Sequence, residues 1–407
     1  MVNVIGLGYI GLPTALMLAS HGIEVVGTDY NKALVDSLNA GVPTFKEDGL
    51  DELFKDAVDA GIKFTNEYQH TDTYIVAVPT PYDKFSKKVD ACYVKAAVNN
   101  VLNVCNAGAT IIVESTVSPG TIDKEVRPLI AERGFVTGMD IHLVHAPERI
   151  LPGNMIYELV NNNRTIGADE PEVAGRVRDI YASFCKGEIV LTDIRTAEMT
   201  KVVENTFRAV NIAFANELSR ICRQDNMDVY EIIRICNKHP RVNIMNPGPG
   251  VGGHCISVDP WFLVGDYPQL TKVIGESMKV NDSQPDFVLE RLQVIMQENN
   301  IKDASRVGLY GITYKENVDD YRDSPTLQLL ESQARHLAAP LKCYDPFLEN
   351  MKLTESQYSD FDAFINDVDI VVVMVKHDHI CHNWDRLKDK IVLDCHNICP
   401  LPNTYRL

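Results

Sequence analysis

Short, almost continuously apolar runs separated by stretches of helical periodicity organise the first half of this chain. The run 2–7 leads into a helical spacing of Leu16, Leu18 and Ala19, and further runs stand at 24–28, 74–78, 110–113, 141–144, 164–167 and 189–191. Runs without strict alternation suit strands buried on both faces, and their alternation with helices predicts an α/β, doubly wound parallel sheet that ends near residue 193. From 194 to about 225 there is neither Gly nor Pro and apolar residues recur at helical spacing, which predicts one long helix joining two domains. Helices are expected again at 229–236 and from 270 to about 298, and mid-chain helices of this kind commonly form a dimer interface. The last third predicts a second, smaller α/β sheet: strand 306–311, helix 326–337, then strands 341–344, 370–375 and 391–393. The expected organisation is therefore two Rossmann-like domains, 1–193 and 300–407, around a central helical dimerisation region, 194–299.

Composition narrows the functional classes. The chain has 407 residues, 45% hydrophobic and 23% charged, enough for two or three globular domains. A formal net charge of -17 argues against a broad nucleic-acid or anionic-membrane surface, so an anionic ligand needs a local basic pocket. The apolar run begins at Val2 and leaves no room for an export signal, and no run has the length of a membrane span. Ten scattered cysteines fit reduced thiols, and the expectation is a cytoplasmic protein.

The first strand passes into Gly6-x-Gly8-x-x-Gly11, and the second ends at Asp29. Glycines there turn tightly and admit a pyrophosphate to a helix N-terminus, while the carboxylate accepts hydrogen bonds from a ribose diol and repels a 2′-phosphate. That combination predicts a dinucleotide, NAD in preference to NADP. Ligands of such sheets gather at the carboxyl ends of the strands, where Pro79-Thr80-Pro81, Glu114-Ser115-Thr116 and Ala146-Pro147-Glu148-Arg149 lie. Thr116 offers a hydroxyl and Glu148 a base, although each read singly is equally an ordinary loop residue. Lys201 and Asn205 stand at i and i+4 on one face of the long helix, a spacing that by itself describes a solvated surface as well as a site. Further on, Gly252-Gly253-His254-Cys255 is followed by Asp259: a cysteine behind paired glycines, either a presented nucleophile or a buried structural thiol. Lys315 and Arg322 follow the first strand of the last region. His377, His379, Cys381, His382, Cys395, His396 and Cys399 lack a paired C-x-x-C, so no metal is expected.

Taken together, Gly6-Leu7-Gly8-Tyr9-Ile10-Gly11, Glu114-Ser115-Thr116-Val117, Ala146-Pro147-Glu148-Arg149, Lys201 with Asn205, Gly252 to Cys255, and Tyr314-Lys315-Glu316-Asn317-Val318-Asp319-Asp320-Tyr321-Arg322 resemble the UDP-glucose/GDP-mannose dehydrogenase family, in order and spacing, across nearly the whole chain. The resemblance implies a four-electron, NAD-dependent oxidation of a sugar C6 alcohol to a carboxylate, supplying a uronate for surface polysaccharide. It implies Cys255 as the nucleophile, Glu148 acting on the hydrolytic water with Thr116 nearby, and Lys201 and Asn205 stabilising oxyanions with support from Asp259. Cofactor contacts would come from Gly6, Gly8, Tyr9, Ile10, Gly11 and Asp29, and from Pro79, Thr80, Thr116 and Arg322. Substrate contacts would come from Glu148, Arg149, Lys201, Asn205, Gly252, His254 and Lys315, and from Arg241 across a homodimer or higher homo-oligomer.

The segment from Pro247 to Cys255 with Asp259-Pro260-Trp261-Phe262 is most similar to members acting on a UDP-amino sugar, UDP-N-acetyl-D-mannosamine first and its glucosamine epimer next. The third position after the cysteine is Val258, where the UDP-glucose enzymes have a lysine, and Arg149 stands where they have an aromatic. Two other classes remain open. A two-electron dehydrogenase of the 3-hydroxyacid type gives Cys255 and the last domain no task, and a non-catalytic nucleotide-binding protein leaves the set Thr116, Glu148, Lys201, Asn205 and Cys255 unexplained.

Overall fold

In the computed structural model, which describes residues 1–334, 339–402 and 404–407, the seven apolar runs of the first two hundred residues become seven strands of one eight-stranded sheet, and a short strand not expected from the sequence, Lys63–Thr65, joins its edge. Its strands are β1 (Val2–Ile5), β2 (Val25–Thr28), β3 (Lys63–Thr65), β4 (Thr73–Val76), β5 (Ala109–Val113), β6 (Ile141–His145), β7 (Arg164–Ala168) and β8 (Ile189–Thr192). They lie in the order β3-β2-β1-β4-β5-β6-β7-β8. Both faces are covered. Val4, Ile75, Ile112 and Val144 point into one apolar core, and their chain neighbours Ile5, Tyr74, Val76, Ile111 and Leu143 into the other. Period-two alternation between two buried faces is why these strands read as continuous apolar runs.

One expectation fails here. β7 runs antiparallel to β6, pairing Val144 with Ala168 and His145 with Gly167, while the other strand pairs of the sheet are parallel. Segment 146–163 therefore stays at the carboxyl end of β6 instead of crossing back over the sheet. Its helix Met155–Asn161 is held there by Glu47, whose carboxylate accepts the Gly153 and Met155 N–H groups. An apolar run shows a period but no direction, so the sequence carried no sign of the reversal.

The long helix is Ile194–Gln224. The chain divides within it into two compact units, 1–204 and 205–407. Helix Val229–Cys236 follows, with Asp228 at its N-cap accepting from the Tyr230 and Glu231 N–H groups, then helix Asp259–Asp266 after the cysteine loop. The helical stretch expected from 270 to about 298 consists of two helices, Lys272–Asp282 and Gln284–Glu298. Pro285 lacks an N–H and its ring clashes with the carbonyl four residues back, so it opens a helix and cannot sit in the middle of one.

The second sheet contains β9 (Val307–Tyr310), β10 (Lys342–Tyr344), β11 (Gln357–Tyr358), β12 (Ile370–Val373), β13 (Ile391–Asp394) and β14 (Thr404–Arg406). Its order is β11-β10-β9-β12-β13-β14, all parallel. The helix expected at 326–337 is Pro325–Gln333, and the remainder of that expectation runs into 335–338, outside the described residues. Among the described residues no helix is long and apolar enough to cross a membrane, and no group of three His, Cys, Asp or Glu side chains could hold a metal ion. None of the ten cysteines, all of them among the described residues, is joined in a disulfide.

Candidate active site

The turn after β1 is built to receive a phosphate-bearing ligand. Gly6 has φ +88°, and a Cβ on Gly11 would stand 1.8 Å from the Gly6 carbonyl oxygen, so only glycine lets the helix begin this close to the strand. Helix Gly11–Ser20 starts without a side-chain cap; its Leu12 N–H donates to the Gly8 carbonyl at 3.1 Å and Pro13 has no N–H, so what the helix offers a pyrophosphate is the positive end of its dipole behind a turn of glycines. Asp29 closes the turn: its Oδ2 accepts the Leu7 N–H at 2.8 Å and its Oδ1 the Asn31 N–H at 2.8 Å. Each oxygen keeps a lone pair for a ribose hydroxyl. Tyr9 stacks on Phe45 with ring centroids 4.5 Å apart, and Ile10 is half-buried beside it. After β4, Pro79 is exposed and Thr80 half-buried. These residues fit a dinucleotide.

At the carboxyl ends of β5 and β6 the same unit holds a buried charge cluster. Glu148 is 6% exposed; its Oε1 accepts the Arg149 N–H at 2.6 Å and its Oε2 is in close contact with the Arg164 guanidinium. The other side of Arg164 lies 3.7 Å from Glu114, which also accepts the Tyr181 hydroxyl at 3.1 Å, and the guanidinium stands over the rings of Tyr181 and Phe184. Burial pushes the Glu114 carboxyl up to about 8, with Arg164 acting the other way and Glu148 adding to the rise. Burial alone would lower the Arg164 pKa, but the charges of Glu148, Tyr181 and Glu114 more than offset it. Arg149, expected as a substrate contact, has its guanidinium on protein groups: the Asn163 carbonyl, the Thr165 hydroxyl and Glu204, each at 2.8 Å.

Thr116 is half-buried just beyond β5, and its loop is fastened to the long helix by Glu198. That fully buried carboxylate accepts the Gly120 and Ile122 N–H groups at 2.5 and 2.9 Å, and burial pushes it up to about 7. Three residues on, Lys201 is 6% exposed, and Asn205 is 4% exposed. The pair therefore does not lie on a solvated face.

In the second unit the cysteine loop is pinned on both sides. Asn205 donates one amide N–H to Asp259 Oδ2 at 2.6 Å, tying the long helix to the start of helix Asp259–Asp266. The Cys255 carbonyl accepts the Asp259 N–H at 2.8 Å, and the residue is half-buried. On the other side the Gly253 N–H donates to the Arg322 carbonyl at 2.9 Å. A Cβ on Gly252 or Gly253 would come within 2.7 Å of the Tyr314 side chain, so the paired glycines exist to let the Tyr314 loop approach. In that loop Asp320, 4% exposed, takes Arg322 in a two-point grip at 2.8 and 2.5 Å. Lys315 is half-buried, while His254 and Arg241 are exposed.

Each unit thus gathers its own share of the expected residues: Gly6, Gly8, Gly11, Asp29, Thr116, Glu148 and Lys201 in the first, Asn205, Cys255, Asp259, Lys315 and Arg322 in the second. Reading the sequence missed Arg164, Tyr181, Glu198, Asp320 and the contact role of Tyr314. For Arg164 one signal existed, a charged residue opening an otherwise apolar strand.

Comparison with known proteins agrees along the whole length. The NAD binding domain of the UDP-glucose/GDP-mannose dehydrogenase family matches residues 1–185, its central domain residues 195–283 and its UDP binding domain residues 308–400. A UDP-N-acetyl-D-mannosamine dehydrogenase of Methanocaldococcus jannaschii is 40% identical over 409 residues, covering 98% of this chain and 92% of that protein. An NDP-N-acetyl-D-galactosaminuronic acid dehydrogenase of Ralstonia nicotianae is 38% identical over 410 residues, covering 97% and 95%. Among solved structures, a UDP-N-acetyl-mannosamine dehydrogenase from S. aureus superposes with a TM-score of 0.89 at 38% identity, covering 100% of this chain and 98% of that one.

The Glu114 environment predicts a pH-dependent stability. One carboxyl oxygen, Oε2, is buried without a hydrogen-bond partner, and the folded pKa is raised above the unfolded one, so the fold favours the protonated form. Its contribution is fully present below the unfolded pKa and is lost as pH rises from about 4.5 through about 8. Glu114→Gln removes that loss. Between pH 6 and pH 9 the variant's Tm should fall less than the wild type's, by at least about 2 °C, or about 1 kcal/mol for a unit of this size. Parallel Tm curves would mean that Glu114 is ionised in the fold.

Proposed function

The chain belongs to the UDP-glucose/GDP-mannose dehydrogenase family, NAD-dependent nucleotide-sugar dehydrogenases, and from that premise we propose that it oxidises UDP-N-acetyl-D-mannosamine at C6 to the uronate through a thioester on Cys255. The observation that supports this most is the pinned cysteine loop, a half-buried thiol whose flanks are fixed by Gly253 on one side and by Asn205 and Asp259 on the other. NAD+, held by the turn from Gly6 to Gly11 and by Asp29, would supply the hydride acceptor for both oxidations at C6. The chain's own groups do the rest. Lys201 and one remaining Asn205 N–H stabilise the alkoxide and hemithioacetal oxyanions, a cation and a dipole placed where charge develops. The Cys255 thiolate adds to the aldehyde carbon, and after the second oxidation water attacks the resulting thioester. Glu148 takes the proton from that water, with Thr116 and Asp259 helping to hold it, and the C–S bond breaks to return the electron pair to sulfur. Arg322 would reach the cofactor from its grip on Asp320, and Lys315 and His254 the sugar nucleotide.

The same reading makes the protein a homodimer through the long helix. Val203, Phe207, Phe214 and Ile221 stand 46%, 65%, 49% and 54% exposed at spacings of four, seven and seven residues. Such a stripe on one helix face is a seam for a second copy. Arg241 would then serve the neighbouring subunit's nucleotide. A second reading of the sugar has a specific support: the Ralstonia nicotianae relative is named for an N-acetyl-galactosaminuronic acid.

Two NADH should form per UDP-sugar consumed. A yield of one with free aldehyde would exclude the thioester route. Cys255→Ser should abolish acid formation, because an alkoxide is scarce near neutral pH and its ester is a less activated acyl donor. Glu148→Gln should leave sugar attached to Cys255, visible by intact-mass spectrometry of quenched enzyme.

Mixing Arg241→Ala chains with Cys255→Ser chains, each inactive alone, should restore part of the activity in hybrid dimers. Hybrids that form and stay inactive would place Arg241 in its own subunit's site.

Val258 fixes the expected order of substrates. It is 4% exposed and brings no ammonium to a position where the UDP-glucose enzymes have one. UDP-N-acetyl-D-mannosamine should therefore exceed UDP-glucose roughly ten- to a hundredfold in kcat/KM, the equivalent of about 1.5 to 3 kcal/mol for a charged hydrogen bond. Comparable values for UDP-glucose would overturn the amino-sugar reading. A panel that includes the N-acetylglucosamine and N-acetylgalactosamine substrates decides the configuration.

A further inference from the structure

We infer that Arg164 is a positioning residue for thioester hydrolysis: its guanidinium orients the Glu148 carboxylate and supplies its counter-charge, with Glu114 and Tyr181 fixing the guanidinium from its other side. This rests on Glu148 acting as the base for water, as proposed above. The argument begins with strand register. β6 and β7 pair His145 with Gly167 in antiparallel sense, and continuing the register by three positions puts Glu148 opposite Arg164. The reversed strand thus brings a cation to the one carboxylate that follows β6, which a parallel strand entering from the far end would not do.

The surroundings exclude a merely solvated ion pair. The side chains of Arg164 and Glu148 are 5% and 4% exposed. One guanidinium N–H group contacts Glu148 Oε2, another lies 3.7 Å from Glu114 Oε1, and the plane of the group rests over Tyr181 and Phe184 at 4.5 and 5.2 Å. A planar fork held between the Glu148 carboxylate, the Glu114 carboxyl group and two rings has one orientation, and so has the carboxylate it grips. The Arg149 backbone N–H holds the second Glu148 oxygen at 2.6 Å, and Arg149 is itself clamped to Asn163, Thr165 and Glu204, so both oxygens are referred to β7 and its approach. The titratable groups around the guanidinium, besides Glu148, are Glu114 at the end of β5, Tyr181 on helix Pro171–Tyr181 and Cys185 in the turn after it. Arg164 is the cation that acts on both Glu114 and Tyr181, and its guanidinium is in contact with Glu148, whose counter-charge it supplies.

In the step concerned, the water oxygen bonds to the thioester carbonyl carbon, the water proton passes to Glu148, and the C–S bond breaks with its electron pair going to the Cys255 sulfur. A carboxylate that has lost its guanidinium but remains buried favours its protonated form and cannot take that proton. The two hydride transfers do not involve it.

The test uses the full-length chain as Arg164→Met, Arg164→Lys and Glu148→Gln, assayed with the UDP-sugar that the substrate panel selects. Arg164→Met should give a first-turnover NADH burst within about twofold of wild type, with steady-state turnover at pH 7 reduced on the order of a hundredfold. It should also carry sugar on Cys255 in intact-mass spectra, and its turnover should recover as pH rises toward 9.5, a limb absent from wild type. Arg164→Lys keeps a cation but not the fork; it should show the same pattern at roughly a tenth of the effect, and it decides the matter if Arg164→Met does not fold. Turnover with a wild-type pH profile and no adduct in the folded variants would overturn the inference, as would equal slowing of burst and steady state. If instead Glu148→Gln itself turns over without accumulating adduct, the reading of Glu148 falls, and the two failures are told apart.

Discussion

A guanidinium without access to water sets the terms for the carboxyl end of the first sheet. Moving a charge out of water costs several kcal/mol after relaxation, and a buried ion pair recovers that only with near-ideal geometry. Arg164 meets the demand with two carboxylates, two aromatic faces and a strand reversed so that it arrives opposite Glu148. Apolar residues of the same volume would stabilise the fold at least as well. What the cluster supplies is orientation, and the excess of carboxylate over cation is met by burial, which favours the proton on Glu114. The acidic chain as a whole carries -17, yet around Glu148 and along the nearby helix it places Arg149, Arg164 and Lys201. Net charge describes the outer surface and says little about a site.

Most of the architecture was legible because it rests on local signals. The longer strands of both sheets follow from apolar runs, the turn at Gly6 to Gly11 from glycines that no other residue can replace, and the long helix from the lack of Gly and Pro between 194 and 224. The failures share a cause: they depend on direction or on long-range partners. β7 has the composition of its parallel neighbours, and only its pairing shows the reversal. β3, β11 and β14, each two or three residues long, are too short to show a period. Among the site residues, the i, i+4 spacing of Lys201 and Asn205 describes a solvated surface as well as a site, and only their burial separates the two; Arg149, expected as a ligand contact, has its guanidinium on Asn163, Thr165 and Glu204. Charged side chains on loops carry no mark in sequence that separates a group reaching for a ligand from one tying down a neighbouring strand.

The two sheets use one device for different ends. In the first, a glycine at φ +88° ends β1 and the next N–H, from Leu7, goes to the aspartate that ends β2. In the second, Gly311 at φ +92° ends β9 and the next N–H, from Ile312, goes to Asp345, the aspartate after β10. From there they diverge. Asp29 remains slightly exposed and retains lone pairs for a ligand, whereas Asp345 is fully buried, accepts the Thr313 and Phe347 N–H groups as well, and has His377 Nε2 at 3.2 Å. Its acceptor capacity is taken up by protein, so a ribose cannot use it as it could Asp29. The turn has changed as well: helix Gly11–Ser20 begins five residues after Gly6, but helix Pro325–Gln333 begins fourteen after Gly311. The added residues include Tyr314, Lys315, Asp320 and Arg322, and their loop is what Gly252 and Gly253 meet beside Cys255. Lengthening the phosphate turn removes a dinucleotide fingerprint and provides a wall for the cysteine loop. That trade explains why the second sheet has the strand order of a dinucleotide fold without its glycine pattern, and why glycines near 252 and residues near 314 stand together in one motif set despite some sixty positions between them.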